Sequence, residues 1–303
     1  MLIEFKMMNR LNITFAALFL LLGSTAHGDS VVKNITKEAN NFIEQSLFTF
    51  LEGNGTTEIQ FSGLEDKRPE FSIMLLRPIK EYEESVFFTQ LQLNHYYVIN
   101  DERFALNMGI GYRKLLDDNN YFIGANIFFD VDDEENTRGS IGLELRSHSF
   151  QANINWYGGL SSPRTTSGLG VTEKVLNGFD MHLLGQVPYF PWATIHYVND
   201  YWQAKKNPRN TYGEKLYLEM LIHENVLIEA GFQDDNLSQQ VELLNVKFFY
   251  PGKKGKSLFD GFISDTAFVE GDMKERLLDK VERTNRIKVE SSNASGVVIG
   301  RLD

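Results

Sequence analysis

RGSIGLELRSHSFQANINWYGGL (138–160) keeps a two-residue rhythm from end to end. Ile141, Leu143 and Leu145 share one face of its first half, and Ser140, Gly142, Glu144 and Arg146 share the other. After Ser147-His148-Ser149 the alternation resumes, with Phe150, Ala152, Ile154 and Trp156 against Gln151, Asn153, Asn155 and Tyr157. NGFDMHLLGQVPYFP (177–191) repeats it, with Phe179, Met181 and Leu183 against Asp180 and His182. A period of two with a sharp apolar/polar split predicts strands with one greasy and one wet face. The wet face is polar enough for a watery or hydrogen-bonded interior.

Working outward, the same period runs from Thr56 to Tyr250. It divides into twelve strands near 56–62, 70–77, 85–97, 102–114, 119–130, 138–147, 149–158, 178–187, 192–199, 213–223, 225–233 and 237–250. Their spacing of about 16 residues fits the roughly ten-residue strands plus turns of an outer-membrane barrel. The connections sort by parity. Even ones include His148 alone, 188–191 and Glu224 alone, while odd ones include 159–177 and 200–212. Short turns at one end and long loops at the other is the asymmetry of such barrels, with 78–84 as an exception. Tyr112, Tyr121, Trp156, Tyr189, Phe190, Trp192, Tyr201, Trp202 and Tyr212 fall near strand ends, where interfacial belts belong.

The flanks differ in texture. Lys6 and Arg10 precede an apolar run from Leu11 to Leu22, and Ala26-His27-Gly28 follows. That is the plan of a secretory signal peptide over 1–28. Residues 29–55 read as a periplasmic helical segment, with Phe42, Ile43, Leu47, Phe48 and Leu51 at helical spacing before Gly53-Asn54-Gly55. Beyond the leader there is no apolar run long enough for a transmembrane helix. After the strands, GKKGKS (252–257) is a basic link without the spacing of a phosphate loop. MKERLLDKVERTNRIKVE (273–290) then reads as a short charged helix, with Leu277, Leu278 and Val281 on one side, passing into extended chain.

The net charge of −11 and a pI near 5.1 speak against nucleic acid as a partner. The absence of cysteine removes disulfide frameworks, cysteine metal sites and thiol catalysis. Asp130, Asp132, Asp133, Glu134 and Glu135 lack the pattern of a calcium loop and read as solvated acids. His182 and His196 fall on neighbouring strands, but nothing fixes a nucleophile beside a base. No catalytic, metal or cofactor site is therefore expected.

GYRKLLDDNNYFIGANIFFDVD (111–132), TRGSIGLELR (137–146), ANINWYGGLSS (152–162) and the 177–191 segment, in that order, resemble the β-domain of inverse autotransporters, the intimin/invasin family. ANNFIEQSLFTFLEGNGTTEIQF (39–61) resembles that family's approach to its first strand, and LLDKVERTNRIKVE (277–290) its post-barrel linker. The resemblance implies an all-β fold: a twelve-stranded antiparallel outer-membrane β-barrel over 56–250, a linker over 251–290 re-entering the lumen, and a tail over 291–303. It also implies the outer membrane of a Gram-negative bacterium as location, outer-membrane lipid as surroundings, and barrel-assembly machinery and periplasmic chaperones as partners. A role in adhesion or invasion follows only from the likeness, and any receptor is unknown. A helix of about 11 residues from Lys274 rises about 16 Å. Six extended residues add about 20 Å, enough to cross the barrel. Lumen-facing Arg113, Glu144, Arg146, Asn153, Asn155 and Asp180 are expected to meet Lys274, Glu275, Arg276, Asp279, Lys280, Glu282 and Arg283 of the linker.

Two departures qualify the likeness. The stretch before the barrel is too short for the LysM module of many members, and the tail is far shorter than a folded passenger. The expectation is a barrel that threads and anchors its C-terminal segment at the cell surface, with a minimal or missing passenger. A stand-alone channel is the alternative, and a lipid-active barrel enzyme a further one.

Overall fold

Ile141, Leu143 and Leu145 are 59%, 49% and 42% exposed, while Glu144 and Arg146 beside them are 4% and 1% exposed. In a soluble sheet this pattern would be inverted, so the greasy face points outward and the wet face inward. The computed structural model describes residues 53–62, 69–98, 101–166, 170–206, 209–237, 240–250, 252–292 and 298–301. The expected leader and almost all of the helical segment 29–55 lie outside them.

Twelve strands close into one antiparallel barrel. They are β1 (Thr56–Ser62), β2 (Glu70–Glu81), β3 (Ser85–Val98), β4 (Asp101–Leu116), β5 (Tyr121–Asp132), β6 (Thr137–Ser147) and β7 (Phe150–Gly159), then β10 (Asn177–Val187), β11 (Phe190–Gln203), β12 (Thr211–His223), β13 (Val226–Asp235) and β14 (Val241–Tyr250). Each pairs with the next barrel strand in sequence, β7 with β10 among them, and β1 closes on β14 with Thr57 opposite Tyr250. Closure leaves no unpaired edge, which is what a sheet in lipid requires. No helix among the described residues is long and apolar enough to cross a membrane.

The turns at one end, 82–84, 117–120, 148–149, 188–189 and 224–225, hold two to four residues each. Connections at the other end reach seventeen residues, in 160–176. By the usual asymmetry the short-turn end faces the periplasm. The predicted seven-residue connection at 78–84 is only 82–84, because β2 runs through Pro78 with a register shift between Pro78 and Lys80. A proline cannot donate to a ladder and signals a strand end, but it is tolerated at such irregularities. Ile110, Ile123, Ile127 and Ile195, all near half exposed, continue the outward apolar band. Trp202, expected in the aromatic belt, is 1% exposed and lies against Tyr157. It shares parity with His196, Val198 and Asp200, all buried, and that parity points inward.

Four short strands lie outside the barrel wall at its long-loop end. β8 (Arg164–Thr165) and β9 (Thr172–Val175) form a hairpin within the long 160–176 connection. β15 (Val289–Ser292) adds to β9, and β16 (Val298–Arg301) adds to β15.

Candidate functional site

The wet inner face is a filled lumen, and what fills it is the chain's own segment 273–288. After β14 the chain leaves the periplasmic end and follows the turns: Lys253 N–H donates to Glu224 O and Ser264 N–H to Tyr189 O. At Met273 it turns inward, donating to Asn119 O. Sixteen residues later it emerges as β15 at the far end. Only 273–288 of the expected 251–290 linker therefore lies inside.

The floor of the lumen is apolar. Met273, Leu277 and Val281 pack with Met74, Leu76, Val86, Phe88, Leu115, Phe122 and Phe128 of β2–β5, all nearly solvent-free. Burying side chains of this size stabilises by roughly 1.5–3 kcal/mol each. The apolar side expected of the linker at Leu277 and Val281 meets its match here, where β2–β5 turn apolar side chains inward instead of the polar ones expected of the lumen.

Above the floor the contacts become ionic. Arg113 holds Glu144 through two bonds of 2.8 and 2.9 Å, and its remaining nitrogen donates to the carbonyls of Leu277 and Asp279. Gly124 makes room for this pair, since a Cβ there would lie 2.5 Å from Glu144 Oε1. Arg146 donates to Lys280 O, and Lys280 Nζ reaches Glu58 at 2.8 Å. Val281 N–H donates to Gln90 Oε1, and Asn155 Nδ2 to Glu282 O.

The midpoint is Asp130. Arg283 grips it with bonds of 3.0 and 2.7 Å, while Arg138 Nε and Asn107 Nδ2 donate to the same carboxylate at 2.8 and 2.7 Å. Arg283 lies 4.3 Å over the Phe128 ring, and Arg138 lies 4.4 Å over Tyr157. Arg138 also donates to the carbonyls of Thr284 and Arg286. Thr284 N–H in turn meets Tyr157 Oη and Asp180 Oδ2, both at 2.9 Å. Nearer the exit Arg286 pairs with Glu70, and Arg103 joins Asp132 and Glu173 at 2.9 and 3.0 Å.

These bonds explain a difference from expectation. The charged helix from Lys274 is a single 3-10 turn, Met273–Arg276, followed by non-helical chain. A helix needs its carbonyls for its own N–H groups. Here the carbonyls of Leu277, Asp279, Lys280, Glu282, Thr284 and Arg286 are taken by Arg113, Arg146, Asn155 and Arg138. Charged donors in a dry interior outcompete backbone amides.

All six expected lumen residues, Arg113, Glu144, Arg146, Asn153, Asn155 and Asp180, point inward and are at most 4% exposed. Of the expected linker residues, Asp279, Lys280, Glu282 and Arg283 lie in the lumen. Arg276 lies at its mouth, donating to Asp279 Oδ2 and His148 O. Lys274 and Glu275 are exposed at that mouth, because Met273 and Leu277 turn the opposite side of the 3-10 turn inward. Glu58, Glu70, Gln90, Asn107, Asp130, Arg138 and Arg286 went unnamed in the sequence as lumen partners, although parity on their strands carries the signal for most. The acidic run is dispersed: Asp130 and Asp132 are inward strand positions, Asp133 accepts from Phe104 N–H, and Glu135 pairs with Arg164. His182 stands beside Asp180 at 3.4 Å, and His196 beside Glu219 at 3.2 Å.

A sequence model of the family described as inverse autotransporter, beta-domain, matches residues 22–285. No curated protein sequence matches the chain. Among solved structures, a membrane protein from work on the mechanism of in-meso crystallization is similar at 21% identity and a TM-score of 0.65, over 78% of this chain and 99% of its own. An outer membrane channel from Pseudomonas putida F1 gives 8% identity and 0.48 over 65% and 95%. The β-domain of the Bordetella autotransporter BrkA gives 11% and 0.37 over 65% and 98%.

Proposed function

The chain belongs to the inverse autotransporter β-domain family, and from that premise we propose that it carries its own C-terminal segment through its lumen to the cell surface and anchors it there. It is an outer-membrane β-barrel, of a family of translocators rather than of known enzymes. The observation that carries the finer reading is the course of 273–288, from Asn119 at the short-turn end to β15 at the long-loop end. The wall suits a passing chain: arginines aimed at carbonyls bind backbone, whatever side chains follow, and Asp130 and Glu58 then fix the register through Arg283 and Lys280. Assembly machinery and chaperones complete the reading as partners, and any surface adhesion belongs to what the linker presents outside.

Protease applied to intact cells tests the reading on a chain tagged after Asp303. Removal of the tag is expected; a protected tag sinks the threading. Planar-bilayer conductance with and without residues 273–303 separates a plugged translocator from an open channel. A large rise on deletion is expected, and equal conductance would favour the channel.

A further inference from the structure

The segment between β14 and the lumen does not cross the barrel mouth by a short path. It visits the turns in circumferential order, touching 224–225, then 188–189, then His148, then Asn119. Along this rim it exposes Phe259, Phe262, Ile263 and Phe268 by 76%, 59%, 67% and 48%. Four large apolar side chains within ten residues form a patch that water does not explain.

The rim holds the segment firmly. Tyr189 has a left-handed φ of 67°, costly for a residue with a Cβ, in the turn that follows Pro188. Both its backbone groups are used by the strap: its N–H donates to Ala267 O and its carbonyl accepts from Ser264 N–H, each at 2.8 Å. Gln186 Oε1 accepts from Val269 N–H, and Trp192 Nε1 donates to Phe262 O at 2.9 Å. The Phe262 ring lies 5.4 Å from Trp192 and 5.6 Å from Phe190, so the strap is continuous with the interfacial aromatics of β11. Asp260, next to Phe259, has its carboxylate turned back onto the Ser257 amide and hydroxyl at 2.8 and 2.7 Å. Exposed Lys254 and Lys256 precede the patch.

We propose that residues 258–268 are a membrane anchor on the periplasmic rim, with Phe259, Phe262, Ile263 and Phe268 seated in the headgroup–acyl boundary of the inner leaflet beside the barrel. The occupant is phospholipid. The patch adjoins the lipid-facing surface of a barrel already in the membrane, interfacial segments bury Phe and other large apolar side chains at that depth, and exposed Lys256 suits anionic headgroups. The anchor ties the base of the linker to the bilayer as well as to the turns, and it is independent of whether the linker was translocated.

The chain has no cysteine, so single labels are unambiguous. Phe259→Cys, Phe262→Cys, Ile263→Cys and Phe268→Cys, each in the full chain, carry a nitroxide in vesicles of phosphatidylethanolamine and phosphatidylglycerol. Collision with oxygen and with a water-soluble nickel chelate reports depth, with Ile141→Cys as the lipid reference and Asp265→Cys as the water reference on the strap. The expected depth is roughly 5–10 Å below the phosphates at the four apolar positions. Labels as open to nickel as Asp265→Cys overturn the anchor and give the patch to a soluble periplasmic partner instead. Should Phe262→Cys disturb the packing on Trp192, the readings at Phe259 and Ile263 decide the outcome.

Discussion

The wall built by β1–β7 with β10 and the wall built by β11–β14 treat the linker differently. The first supplies the partners described within the lumen: Glu58, Glu70, Gln90, Asn107, Arg113, Asp130, Arg138, Arg146, Asn155, Tyr157 and Asp180. On the second, charged side chains pair among themselves: His196 with Glu219, Lys247 with Glu229, and Lys253 of the following chain with Glu219. One wall is a template for a peptide and the other completes the cylinder. Buried ion pairs add little net stability over apolar packing, but breaking one leaves an uncompensated charge. The contacts on the first wall therefore decide where the linker sits more than how firmly the barrel folds.

Breaking the template at its centre has the largest expected effect. Asp130→Asn leaves Arg283 and Arg138 facing each other without their shared counter-charge, and should cost about 3–5 kcal/mol of linker seating. Faster hydrogen exchange of the 277–288 amides, with the strands still protected, is the expected signature. Lys280→Met strips Glu58 of a charged bond and should cost about 1.5–3 kcal/mol. A cycle with Glu58→Gln should return most of that as coupling, whereas additive effects would mean that the pair is not what holds the chain there.

Two smaller changes probe the other wall. Its β11–β12 loop meets the chain at the exit, where Glu290 accepts from Lys206 N–H at 2.6 Å and Lys205 N–H at 3.2 Å. Glu290→Gln should cost about 1 kcal/mol and raise exchange at those two amides alone. Joint replacement of Glu229→Leu and Lys247→Met removes a pair facing no described linker bond. Linker exchange should change by no more than about 1 kcal/mol, because Lys247 reaches Glu58 and Glu282 only through space and makes no described bond to the linker. A large change there would abolish the distinction between the walls.

The barrel was legible because lipid and lumen impose opposite demands on successive residues, as Ile141 and Glu144 show within one strand. Strand ends were less so: Pro78 signals an end where the strand continues, and Trp202 sits near a strand end as a belt residue would but shares the inward parity of Asp200. The linker's passage into extended chain was legible, but the loss of its helix was not. Its helical spacing at Leu277 and Val281 is real, but the donors that dissolve the helix belong to β4, β6 and β7. The rim strap was equally hidden, since it is held largely through backbone groups at Asn119, Tyr189 and Glu224, which leave no mark on side-chain periodicity.

The four-stranded sheet of β16, β15, β9 and β8 outside, and the strap on the turns inside, have a mechanical consequence. On the proposed function, a tether pulled away from the cell would load the chain along its length between two broad heads, as in a rivet. The cross-links from Arg286 down to Lys280 then carry force side by side in shear, with Asp130 held from behind by Arg138 and Asn107. Tension is passed into a closed cylinder whose strands brace one another, so no single strand has to be peeled for the tether to hold.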